Sequence, residues 1–445
     1  MKAQVLLSCA LALLATVAGK EEKELPSLNP IVFDAEMWNT RLVDFVSDGA
    51  DKAEGEIEVA EKLKVEEISL EPKSGQGLGW LSAAKNGLRA DPGSYQLLGL
   101  PVGEVIIRGD EGRPKGLTVS IYNRGDDGEI SGSDFYAKLK EWKDLLDSEL
   151  KVRAEERNVK KTVSLTGWMW RKEDTAYLLE GSENRSDDRP EFIRLRMASI
   201  SARRQAPTRM ARRGTFAENV KTNSKGFTYV SGIPMVDQGE KGYCVVASIE
   251  RVARYFGAEV DQHEMAQLAN TDEAGTSVAG MKQAFQKVTG KIHLRTLKHV
   301  DYDESQLEKD IRGYNRAAKS AKVRTFDVDP DYYYISPPRF WASTHKETFR
   351  EMKRKQGGYD HFNRKIKEYV DQGIPLCWTL YLGLFKEEGL PQMFGGHMRL
   401  IIGYNEKTEM IMYSDSWGEG HEQKTMRADE AYCMTMGLHS MVPNR

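Results

Sequence analysis

The sequence predicts an α+β chain in which a carboxy-terminal domain, built as one helix packed on an antiparallel sheet, follows a separate α/β domain. Three observations predict it. Downstream of Cys244 the apolar residues Val245, Ile249, Val252 and Phe256 recur at steps of 4, 3 and 4 residues, which is one face of a helix. Two alternating runs, Met398, Leu400, Ile402 and Tyr404, then Ile411, Tyr413, Asp415 and Trp417, read as the strands of a hairpin, with a turn at Asn405 to Thr408. Between the two domains, residues 201–225 carry Arg203, Arg204, Arg209, Arg212, Arg213, Pro207 and Gly214 with few apolar side chains, as a linker does.

Upstream of that linker, residues 25–200 carry their own pattern. Trp38, Leu42, Phe45 and Val46 suggest one amphipathic helix, and Phe135, Leu139, Trp142 and Leu146 another. Val105–Ile107, Leu117–Tyr122, Val163–Trp170 and Thr175–Leu179 read as strands. Asn123, Asp127, Gly128, Ile130 and Asp134 echo a calcium loop, but Gly125 offers no ligand where an acid belongs and a strand precedes it, so Ser133 or Asp134 is expected to cap a helix instead. This domain could recognise a substrate, act as an inhibitory pro-segment released at the basic linker, or tether its neighbour.

Length and composition fit this plan. At 445 residues the chain has room for two or three domains, and 40% hydrophobic residues supply ordinary cores. A net charge of −3 gives no reason to expect nucleic acid as a partner. Residues 1–19, with Lys2, the apolar run Ala3 to Val17, and the small pair Ala18 and Gly19 before a charged cluster, read as a secretory signal peptide. The expected location is therefore secreted or periplasmic. That run is shorter than the roughly 20 residues a spanning helix needs, and no integral membrane segment is expected after cleavage.

The residues with chemical potential lie in the carboxy-terminal domain. A cysteine is nucleophilic as thiolate, and Cys244 at the first turn of a helix would feel the partial positive charge of unpaired N–H groups. Gly239 and Gly242 let the loop before it bend. If Tyr404 pairs near Glu409, antiparallel register brings His397 opposite residues 415 and 416, within the roughly 5 Å of cross-strand neighbours. Thiol, imidazole and carboxylate then form nucleophile, base and orienter.

The run from Gln238 through Gly239, Gly242, Cys244, Ala247 and Ser248, the Gly-His before an apolar strand at His397, and Ser416-Trp417-Gly418 together resemble the papain-like cysteine peptidases. Asp415 in place of the usual Asn, Lys241 where papain itself has a disulfide cysteine, and the helix-strand run Phe362 to Leu380 resemble most the bacterial branch of bacteriocin-processing, double-glycine-type peptidases. The resemblance covers residues 226–445. It implies a papain-like fold with Cys244 as nucleophile, His397 as general base and acid, Asp415 as orienter, Gln238 as oxyanion donor and Trp417 as a shield over the His–Asp contact. The activity implied is peptide-bond hydrolysis through a thioester. The partner is a peptide or protein substrate. Asp415 would make a stronger base of His397 than an Asn would.

Other readings stay open. A cell-wall amidase or a transglutaminase-type acyl transferase uses the same three groups, and a catalytically silent binding protein can share the fold. His421 lies near Trp417 but has no strand to fix it as a base. The remaining histidines lack the spacing of a metal site, so neither metal nor cofactor is expected. Cys377 and Cys433 could form a disulfide or be two buried thiols. The stretch Tyr332 to Trp341 could line a cleft or pack under a loop. Oligomeric state is left undetermined.

Overall fold

A computed structural model describes residues 24–46, 77–160, 163–205, 213–258, 260–271, 275, 285, 294–327, 336–387, 390 and 394–443. The expected signal peptide and the tyrosines Tyr332 to Tyr334 lie outside the described residues. Among the described residues, no helix is long and apolar enough to cross a membrane.

The amino-terminal part is built on a nine-stranded antiparallel sheet. Its long central strands are Arg113–Asn123, Arg189–Ser199, Thr175–Asn184 and Ser164–Lys172, with Val105–Asp110 and Gly87–Ala90 continuing beyond Arg113–Asn123. One face is covered by the helix Gly132–Leu150, which buries Phe135, Leu139, Trp142, Leu146 and Leu150 against Leu179, Leu195 and Met197. The helix period seen in the sequence is the buried stripe. Its cap is Ser131, whose hydroxyl accepts the N–H of Asp134, rather than Ser133 or Asp134. Around Trp38 the expected amphipathic helix is replaced by two short 3₁₀ turns, Met37–Asn39 and Leu42–Phe45. Arg41 at the start of the second turn is extended and breaks the helical path between two buried anchors, Trp38 and Leu42.

The carboxy-terminal part holds an eight-stranded antiparallel sheet. In order its main path runs Val220–Thr222, Thr228–Val230, Gly395–Asn405, Leu376–Leu382, Thr435–Pro443 and Leu294–Asp301, and Met410–Ser414 with Lys424–Arg427 extends from Gly395–Asn405. The helix Cys244–Tyr255 packs its Ile249 and Val252 into this domain's core, with Phe256 beside them. Part of the expected linker belongs to this core. Phe216 is buried against Tyr255 and Phe256, and Val220–Thr222 is an edge strand, because an apolar side chain in a basic stretch still seeks burial. Phe340 and Trp341 also pack in the core, on the helix Pro337–Ser343.

The hairpin register differs from the sequence expectation. Tyr404 pairs with Ile411 and Asn405 with Met410, so the turn is Glu406 to Glu409, with Glu409 at φ 52°. A bulge between Ile401 and Gly403 then shifts the pairing to Leu400 with Ser414. Asp415 leaves the strand just beyond that pair, near Arg399 in sequence register, and approaches His397 along the diagonal.

Candidate active site

Cys244 is the first residue of its helix, after Tyr243 at a non-helical φ of −90° and ψ of 13°. No side chain caps this end, so its first-turn N–H groups are free to face a developing anion. Of the two glycines in the preceding loop, Gly239 takes the left-handed φ of 69° that a side chain would resist.

His397 stands on the strand Gly395–Asn405, opposite Leu380 of the neighbouring strand. Its Nε2 lies 2.7 Å from Asp415 Oδ1, which leaves Nδ1 for the thiol. Burial alone pushes the ring down, but the Asp415 charge, the Cys244 thiol and hydrogen bonds to both outweigh it, and His397 is pushed up to about 9. Trp417 stacks on the imidazole at 4.8 Å between ring centres with 27° between planes.

Asp415 is fully buried. Burial acts to raise its carboxyl, yet His397 and Arg399, through charge and hydrogen bonds, hold it well below the usual carboxylate range. Its Oδ2 accepts Arg399 Nε at 2.7 Å and its Oδ1 also accepts the N–H of Ser416 at 2.8 Å. Arg251, on the helix that begins at Cys244, donates to the Asp415 carbonyl at 2.7 Å and to the Pro234 carbonyl at 3.0 Å. The Cys244 helix and the Asp415 loop are thus tied by one buried guanidinium.

Gln238 is held at both ends. Its Oε1 accepts the Ser416 hydroxyl at 2.7 Å, which decides which way the amide faces, and its Nε2 donates to the Lys241 carbonyl at 3.1 Å. The backbone repeats the link, with Gln238 N–H donating to the Ser416 carbonyl at 2.9 Å. One amide hydrogen remains for an oxyanion.

The structure therefore brings Cys244, His397, Asp415, Gln238 and Trp417 together. His421 sits against the edge of Trp417, and its carbonyl accepts the Asp415 N–H at 2.8 Å, so it buttresses the loop. Sequence reasoning missed Arg399, Arg251 and Ser416. Arg399 at two positions beyond His397, and so on its side of the strand, was the available signal. Cys377 and Cys433 are both free and buried.

The model of the Peptidase_C39 like family matches residues 230–436. No curated protein matches the chain. Among solved structures, the peptidase domain of Streptococcus ComA, a bifunctional ABC transporter, is 12% identical, with 48% of this chain and 99% of that chain covered and a TM-score of 0.24. Xylellain, a cysteine protease from Xylella fastidiosa, is 10% identical, with 53% of this chain and 91% of that chain covered and a TM-score of 0.26.

Proposed function

With residues 230–436 matched to the Peptidase_C39 like family, we propose that the chain is an exported cysteine peptidase working through Cys244, His397 and Asp415. The observation that carries this reading is the buried His397–Asp415 contact at 2.7 Å, on an imidazole coupled to a thiol at a helix start.

The chemistry follows from those positions. The thiolate, stabilised by the His397 imidazolium and the helix end, attacks the scissile carbonyl. The Gln238 amide and the Cys244 N–H hold the oxyanion. His397 gives its proton to the leaving amine, which departs as the thioester forms. A water deprotonated by His397 then attacks the thioester, and the thiol leaves with the acid product. Trp417, stacked on the ring, limits water at the His–Asp contact.

The test is hydrolysis of fluorescein-labelled casein by the purified mature chain, beside iodoacetamide labelling of Cys244 between pH 5 and 9. Hydrolysis lost in Cys244→Ala and His397→Ala, with wild-type labelling already rapid near pH 6, is the expected result. Labelling that rises only near the free-thiol range and ignores His397 overturns it.

A further inference from the structure

The loop Asp237–Gly242, which carries Gln238 to the site, is gripped at three points by the amino-terminal domain. At its start, Arg89 Nη1 lies 3.7 Å from Asp237 Oδ2, while Glu104 holds the same guanidinium at 2.7 Å. Gly239 lies directly against Arg89, since a Cβ there would stand 2.9 Å from Nη2. At its centre, Lys241 Nζ reaches Asp126 Oδ2 at 2.7 Å with only 2% of the lysine side chain exposed. Just past its end, Tyr243 donates its hydroxyl to Asn123 Oδ1 at 3.2 Å. Gly125 is so close that a Cβ would meet the Tyr243 hydroxyl at 2.5 Å.

The acceptor side of this grip is itself fixed. Asn123 ends the strand Arg113–Asn123 and Arg124–Asp127 forms a single helical turn. Asn123 Nδ2 donates to Asp126 Oδ2 at 2.6 Å, and its N–H donates to Asp127 at 2.7 Å. Of the residues that echoed a calcium loop, Asn123 and Asp127 are thus bound to each other, and Asn123 also to the neighbouring domain. In contrast, the contacts of His397 and Asp415 with Trp417, Arg399, Ser416 and Arg251 all lie within the carboxy-terminal domain.

We propose that the amino-terminal domain is a permanent, activity-supporting part of the site, whose Asn123–Asp127 turn and Arg89 are positioning residues for the oxyanion donor Gln238. The link is the Lys241 carbonyl, which accepts the Gln238 amide while the Lys241 side chain is anchored on Asp126. A buried ammonium that loses its carboxylate must move toward water. The loop moves with it, and a displacement of about 1 Å at a catalytic group costs up to about 100-fold. The contacts that hold His397 against Asp415 lie outside this loop, so thiolate formation is expected to separate from oxyanion stabilisation. An inhibitory pro-segment would behave oppositely, since loosening its contacts would raise activity. This inference rests on the peptidase reading and on Gln238 as oxyanion donor.

The experiment compares the full chain with Asp126→Ala, Asn123→Ala and the charge-swapped pair D126K/K241D. Three quantities are read: casein hydrolysis, the rate at which iodoacetamide alkylates Cys244, and hydrogen exchange of the amides of residues 238–243. Alkylation needs the thiolate but no oxyanion hole. Expected for Asp126→Ala is a fall of about 10- to 100-fold in kcat, alkylation within twofold of wild type, and faster exchange in the loop, with partial recovery in the swapped pair. Unchanged kcat and exchange overturn the proposal, as does alkylation that falls in step with kcat. If wild type hydrolyses nothing but Asp126→Ala still loosens residues 238–243, the peptidase reading fails and the grip on the loop stands.

Discussion

Arg399 shares the Asp415 carboxylate with His397: the guanidinium Nε lies 2.7 Å from Oδ2 while the imidazole holds Oδ1 at the same distance. The carboxylate therefore does not act on the imidazole as an isolated charge. Its second cation offsets part of its field, so the gain in basicity expected from Asp over Asn is smaller than the residue type alone implies. Arg399 is in turn bound to Glu387 at 2.8 Å and stacks over the Tyr413 ring at 4.4 Å.

Replacing Arg399 by Met breaks a buried pair on one side only. Stability in urea is expected to fall by about 3–5 kcal/mol, the usual cost of leaving a buried charge unmatched. Where the folded variant survives, the Asp415 charge falls wholly on His397, and the alkaline limb of activity moves to higher pH.

The pH profile reports His397. Its folded value, raised to about 9, keeps the imidazolium through neutral pH. Activity is expected to fall as pH rises through about 9. In Asp415→Asn the limb shifts down toward the ordinary histidine value of about 6.5. The same shift fixes the sign for stability. A raised pKa contributes fully below the unfolded value of about 6.5 and is lost as pH rises through about 9. Melting curves taken from pH 6 to 10 should show that loss in wild type and a smaller one in His397→Gln.

Ser416 is expected to act on Gln238 alone. Its hydroxyl fixes the amide oxygen at 2.7 Å, so Ser416→Ala frees the amide to turn. A drop of about 10-fold in kcat is expected, below the 100- to 1,000-fold for losing an oxyanion donor outright in Gln238→Ala. Parallel alkylation rates that stay at the wild-type level separate this from damage to the thiolate.

Thiol labelling should be selective. Burial pushes the Cys377 thiol up to about 12, and burial is also the main cause that raises Cys433. One equivalent of iodoacetamide is expected in a folded chain that starts after the proposed leader, and so without Cys9: it goes to Cys244, and Cys377 and Cys433 are expected to react only in urea. Mass spectrometry of the labelled peptides reads the outcome, and a second label under native conditions contradicts it.

Local signals were enough for much of the site. The helix after Cys244 was legible because its apolar residues repeat at helical steps, and the two strands around His397 because theirs alternate. The register of that hairpin was not legible, since the bulge at Ile401 to Gly403 inserts a residue that no alternation reveals. The turns at Trp38 and Leu42 deceived for a related reason. Apolar residues spaced like a helix face also serve as two separate anchors.

The sequence by itself offered Cys244, His397 and Asp415 as candidates for nucleophile, base and orienter, because residue type and local pattern carry that much, and its resemblance to the papain-like peptidases added Gln238 as candidate oxyanion donor. Only the tertiary structure decided that Arg399 divides the Asp415 charge, that Arg251 ties the Cys244 helix to the Asp415 loop, and that Asn123 and Asp126 meet Tyr243 and Lys241. Those last pairs are separated by 120 and 115 residues. Partners so far apart in sequence carry no periodicity, and they meet only when the two sheets and their helices pack.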